Sequence, residues 1–253
     1  MLALAAILLT FSNASANEIY IDQAGDNLVL TIDQKGSNNQ IKGRTTTNAP
    51  VDGDNNKVTI NQGYEGNNLI EMSIDGSNNN VEINQERGFG GYDTDSNGNH
   101  YASVEVNGSG NDVDITQRNN SGSSVGHTSS AVITNGDGNT IHTLQTGTGG
   151  SNGHNSYVHV KDGRDGNTVD IFQNSDTADH KAVVSIYSND NNIDVNQTGG
   201  ANNAYVLFSH HAVGPTDFTL NQNGSDTYGN PDTGSYATVS CGSPAGCTVT
   251  VNQ

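Results

Sequence analysis

The chain contains no tryptophan, and only 31% of its 253 residues are hydrophobic. An ordinary globular core of this length is hard to build from so little apolar volume. Two cysteines are too few for a disulfide framework or a cysteine-rich metal cluster and suffice for one bond at most. Lys and Arg number nine against 27 Asp and Glu, for a net charge of −18. That balance argues against nucleic acid, and equally against an anionic membrane surface, as a partner. Scarce apolar residues with high net charge would ordinarily mean disorder. Here the apolar residues are few but regularly placed, and the regularity carries the fold.

The first sixteen residues, MLALAAILLTFSNASA, form a short apolar run closing on Ala14-Ser15-Ala16. This small-residue pattern reads as a signal peptide over 1–16, followed by one repeat domain over 17–253, and the chain is expected to be exported. The run is shorter than the roughly 20 residues a membrane-spanning helix needs, and no later segment comes closer.

The mature part is a series of related segments. GDNLVLTIDQ begins at Gly25, GDNNKVTINQ at Gly53, GSNNNVEINQ at Gly76, GSGNDVDITQ at Gly108 and GDGNTIHTLQ at Gly136. DGNTVDIFQ, SNDNNIDVNQ, PTDFTLNQ and GCTVTVNQ follow from Asp165, Ser188, Pro215 and Gly246, and NEIYIDQ at Asn17 is a partial first copy. The shared core is N-x-[VI]-x-[IV]-x-Q. Alternation of this kind indicates a β-strand with Asn111, Val113, Ile115 and Gln117 on one face and Asp112, Asp114 and Thr116 on the other. A second, looser strand lies between successive copies, as in 70–74, 102–106, 182–186 and 204–208. From its last inward residue to the next inward Asn is five positions in three repeats: Ile74 to Asn79, Val106 to Asn111 and Ile186 to Asn191. Gly and Asn in between suit a tight turn, because both tolerate positive φ. The connection after each Gln varies instead from short, after Gln197, to long, after Gln85.

Rungs matched in their strands and variable along one edge define an all-β solenoid, with two short strands per rung and roughly nine rungs. Its core is one side chain deep from each wall, which Val, Ile and Ala fill and Trp would burst. Stacked rungs set like residues over like, so buried amides can satisfy one another along the axis. The expected structural ladder comprises Asn56, Gln62, Asn79, Gln85, Asn111, Gln117, Asn139, Gln145, Asn167, Gln173, Asn191 and Gln197. Gln34, Gln222 and Gln253 close variant copies.

The stretch from Ile193 to Ala204, IDVNQTGGANNA, resembles a curlin repeat, the unit of bacterial curli fibres: a strand ending in Gln, a Gly-containing turn, an Asn and a second strand. Ile32 to Asn39, IDQKGSNN, matches the same turn. Only these two copies keep the Q-x-G-x-x-N spacing; most others carry longer insertions, and the second strand generally lacks a closing Gln. The resemblance implies a curlin-like subunit, secreted unfolded through an outer-membrane pore and polymerising on the bacterial cell surface into a biofilm amyloid. Its partners would be further copies of itself and curli-type secretion and nucleation proteins. Independently of the resemblance, strands close to both ends of the mature chain, with no polar cap visible, predict ends that stack head-to-tail into a filament.

Other features carry less. Asp93-Thr94-Asp95-Ser96-Asn97-Gly98 matches the first half of a calcium loop, but the closing acid is missing, since the twelfth position is Val104. The eight histidines, including the pair His210-His211, are assigned to surface loops rather than to a metal site. Cys241 and Cys247 occupy inward positions on either side of a turn, placing either a disulfide that staples the terminal rung or two buried thiols there. No nucleophile with a recognisable base, no paired-carboxylate motif and no phosphate loop is present, so neither an enzyme nor a cofactor is expected. The alternative to a fibre is a monomeric secreted solenoid adhesin acting through its variable loops. Ice binding would want a regular outward Thr array, and the outward positions here mix Asp, Thr, Glu and His.

Overall fold

The computed structural model describes residues 6–12, 17–23, 25–36, 38–43, 49–63, 67–87, 99–119, 126–147, 153–161, 164–208, 215–224, 227–228 and 247–253. They form a β-solenoid with no helix among them. The strand alternation of the sequence is the alternation of burial. In Asp112–Asn119, Val113, Ile115 and Gln117 are buried, while Asp112 and Asp114 remain partly exposed.

The first wall is a single parallel sheet of ten strands in chain order: Ala6–Ser12, Val29–Lys35, Lys57–Gln62, Asn80–Arg87, Asp112–Asn119, Thr140–Thr146, Thr168–Asn174, Asn192–Thr198, Thr216–Asn223 and Cys247–Asn252. From Val29 onward the register sets one repeat position over the next. Ile32, Ile60, Ile83, Ile115, Thr143, Ile171, Val195, Leu220 and Val251 form one file. The second wall runs through Glu18–Ile19, Gln40–Gly43, Leu69–Ser73, Tyr101–Glu105 and Thr128–Val132, and resumes in Lys181–Ile186, Asn203–Phe208 and Thr227–Tyr228. Residues around Asn155 join the two parts. Asn155 bridges Thr128 on one side and Lys181 on the other, and Ala182 N–H donates to Asn155 O at 3.0 Å.

The expectation of roughly nine rungs needs adjusting in two ways. The first wall has ten strands, because Ala6–Ser12, within the expected signal peptide, pairs in register with Val29–Lys35. On the second wall only six strands reach four residues or more, so about six turns carry full strands on both sides. Between the walls lies a thin core of Ile and Val opposed by smaller residues such as Ala102, Ala182 and Ala204. Where Thr143 replaces the usual Ile, its hydroxyl and those of Ser129 and Ser156 are buried without a hydrogen-bond partner.

In four rungs the corner leading from the second wall to the first is a tight five-position turn, from Val51 to Asn56, Ile74 to Asn79, Val106 to Asn111 and Ile186 to Asn191; it lengthens to eight positions between Phe208 and Thr216. Gly25, Gly53 and Gly76 take φ of 107°, 86° and 111°. A Cβ on Gly53 would run into the carbonyl of Gly76, and one on Gly76 into that of Gly108, so stacking at the β spacing demands glycine here. The next residue in each turn links rungs: Asp26 N–H donates to Asp54 Oδ1 at 2.7 Å, Ser77 N–H to Ser109 Oγ at 3.2 Å, and Asp137 N–H to Asp165 Oδ1 at 2.8 Å.

Candidate functional site: the buried ladders

The glutamines that close each first-wall strand are brought into one continuous chain of hydrogen bonds. Each Nε2 donates to the Oε1 of the next rung, from Gln34 through Gln62, Gln85, Gln117, Gln145, Gln173, Gln197 and Gln222 to Gln253, at 2.6 to 3.1 Å. The same Nε2 groups also reach the second wall. Gln145 donates to Thr128 O and Gln173 to Asn155 O, each at 2.8 Å. The ladder therefore ties rung to rung and wall to wall, which is how a fully buried amide avoids its desolvation penalty. At its first member the chain is open, for Gln34 Oε1 is buried without a partner.

The asparagines at the other end of the strand make a second ladder of opposite sense. Asn56, Asn79, Asn111, Asn139 and Asn167 each accept on Oδ1 the backbone N–H of the next Asn in the series, ending at Asn191, at 2.9 to 3.0 Å. Their Nδ2 groups donate to carbonyls of the tight corner: Asn79 to Gly108 O, Asn111 to Gly136 O and Asn139 to Arg164 O. Thus each Gln donates its amide to the next rung, whereas each Asn accepts on Oδ1 from the next rung while its Nδ2 donates to that rung's corner carbonyl.

A third ladder opens the second-wall strands, and the sequence reading missed it. Asn39, Asn68, His100, His127, His154, His180 and Asn202 occupy one buried file. Backbone N–H groups donate in series: His100 to Asn68 Oδ1, His127 to His100 Nδ1, His154 to His127 Nδ1, His180 to His154 Nδ1 and Asn202 to His180 Nδ1, at 3.0 to 3.3 Å. The imidazoles stack with centroids 5.2, 4.8 and 4.7 Å apart. This corrects the assignment of all eight histidines to surface loops: these four are buried in the core's edge. Burial holds their pKa values down, to about 4 at His127 and about 3 at His154, well below the usual range at His100, and downward at His180. The signal was present in the sequence as intervals of 27, 27 and 26 residues, each histidine two positions before an inward residue of the next strand. Variable connections obscured it.

On the outer face of the first wall, acids also stack. Burial, with Asp170 and Asp217 beside it, raises the carboxyl pKa of Asp194, and burial raises that of Asp114. Of the remaining candidates, Asp93, Asp95, Asn97, His210, His211 and Cys241 lie outside the described residues, and Cys247 opens the last first-wall strand. Compared with protein-family models, curated proteins and solved structures, the chain gives no match.

Proposed function

We propose that this chain is the structural subunit of an extracellular, curli-like amyloid fibre of the biofilm matrix, assembled by head-to-tail stacking of solenoid rungs. The observation that carries the reading is the Gln ladder, which runs in one direction through every rung from Gln34 to Gln253, whereas the Asn ladder is bounded by Leu28 and Thr216 inside the solenoid. A second copy added in register and in the same direction continues it; a reversed copy would set donor against donor at one end and acceptor against acceptor at the other. Cys247–Asn252 ends the first wall with no further strand paired to it among the described residues. At the other end, release of 1–16 would leave Val29–Lys35 as the edge, with Gln34 Oε1 as a buried acceptor awaiting a donor. Export, the curli-type secretion and nucleation partners and the absence of catalysis belong to the same proposal, on the resemblance of 32–39 and 193–204 to curlin repeats.

The test is electron microscopy with fibre diffraction on the purified mature chain held concentrated at neutral pH. Fibrils with reflections near about 4.8 and 10 Å are expected, forming faster when salt or divalent ions screen the net charge of −18. Soluble monomers of unchanged β content would overturn the fibre and favour the second reading, a monomeric adhesin. That reading draws on the connections of variable length that follow the glutamines.

A further inference from the structure

Asn and His alternate in the third ladder according to the length of the preceding connection. Five or six positions separate Gln34, Gln62 and Gln197 from Asn39, Asn68 and Asn202, whereas seven to fifteen separate Gln85, Gln117, Gln145 and Gln173 from their histidines. Both residue types do the same two jobs, except at His100, whose Nε2 is buried without a hydrogen-bond partner. The acceptor, Oδ1 or Nδ1, takes the N–H of the next rung. The donor closes the corner on the carbonyl directly after the Gln: Asn39 Nδ2 to Lys35 O at 2.8 Å and Asn202 Nδ2 to Thr198 O at 2.7 Å. His127 Nε2 reaches Gly147 O of the next rung at 3.0 Å and Arg118 O at 3.2 Å, His154 Nε2 Thr146 O at 2.9 Å and His180 Nε2 Asn174 O at 3.3 Å. Histidine is in effect an asparagine with a longer arm, used where the corner is wider. Unlike asparagine, it can be protonated.

We propose that the stack of His100, His127, His154 and His180 is a proton-operated latch: all four neutral rings accept the next rung's N–H on Nδ1, those of His127, His154 and His180 also hold the variable corner through Nε2–H, and a proton on Nδ1 opens it. That proton would displace the acceptor of the next rung's N–H and set two N–H groups against each other, in four consecutive rungs at once. At His154 the Ser175 N–H faces the same Nε2, 3.2 Å away, so with the proton on Nε2 that contact sets donor against donor and adds no support to the ring. The neighbours do not compensate. The first-wall groups beside the stack are neutral amides, and at the corner Glu86 and Arg118 are paired with each other at 3.8 Å. Asp179 bears on His127, His154 and His180 and favours their protonation, but burial outweighs it. Because the folded values are depressed below the ordinary 6.5, the latch's contribution is fully present above that pH. It is lost as the pH falls toward about 4 and below, because only the unfolded chain takes up the protons. The proposal rests on the solenoid alone, whether or not the chain forms fibres.

The test is chemical denaturation of the purified protein between pH 7 and 4.5, beside the variant His127→Asn/His154→Asn. For the wild type, the folded-to-unfolded ratio should fall by up to about tenfold per buried histidine per pH unit. The variant should lose two histidines' share of that slope, about a hundredfold per unit, whatever its stability at pH 7. Carboxylates titrate alike in both proteins and cancel. Equal slopes would overturn the latch. If the variant does not fold, ¹⁵N NMR of the wild-type imidazoles decides: neutral Nε2–H rings at both His127 and His154 in the folded protein at pH 5 support the proposal, and a cationic ring at either refutes it.

Discussion

The two corners of the solenoid solve one problem in different ways. At the tight corner four rungs repeat the same five-position turn, and successive turns bond to one another through glycine carbonyls, Asp and Ser side chains and the Asn ladder. At the other corner the connection from Gln to the next inward residue runs from five positions to fifteen, and the residues directly after the Gln and the one at its end are held in file. Regular stacking therefore needs one anchored edge and fixed points on the other, and length between those points is free. The corner that tolerates insertion is also the one where a longer, titratable side chain replaced asparagine.

The comparison breaks most sharply at the tight corner. Gly53→Ala should destabilise the fold by about 4 kcal/mol in urea unfolding, since its Cβ meets the Gly76 carbonyl. Gly138→Ala is the matched control: φ is +64° there too, yet no atom lies within 4 Å of the added carbon, so a loss of about 1 kcal/mol is expected. Similar losses at both sites would mean that backbone strain, not rung spacing, fixes the glycines. Next, Asn139→Leu removes the acceptor for Asn167 N–H and the donor to Arg164 O, for about 2 to 3 kcal/mol. A near-neutral result would show that the ladder adds nothing beyond packing. The smallest effect belongs to the variable corner, where doubling the connection between Gln117 and His127 should lower stability by only about 0.6 kcal/mol. A loss of several times that would show the loop itself to be part of the fold.

Much of this architecture was legible because each rung repeats the same local instructions. The phase of Val113 and Ile115 identified the inward face, and Asn111 and Gln117, sharing that phase, could be placed in the core rather than on the surface. The tight turns were readable from Gly and Asn at constant offsets. What escaped was the histidine file. His100, His127, His154 and His180 each follow a connection of different length, so no fixed offset from the preceding Gln marks them, and a histidine beside a polar loop resembles any exposed one. The strand at Ala6–Ser12 escaped too, because its apolar run carries none of the repeat's Asn or Gln.

The sequence by itself determined the strand period, the two-walled rung and the positions of the Gln and Asn files, because period-two alternation and turn chemistry are local and recur in every copy. Only the tertiary structure decided the direction of each ladder and the membership of the third. An amide or imidazole chooses which atom donates by what its neighbours in the adjacent rungs offer. Those neighbours lie some 20 to 30 residues away along the chain and come together only when the rungs stack.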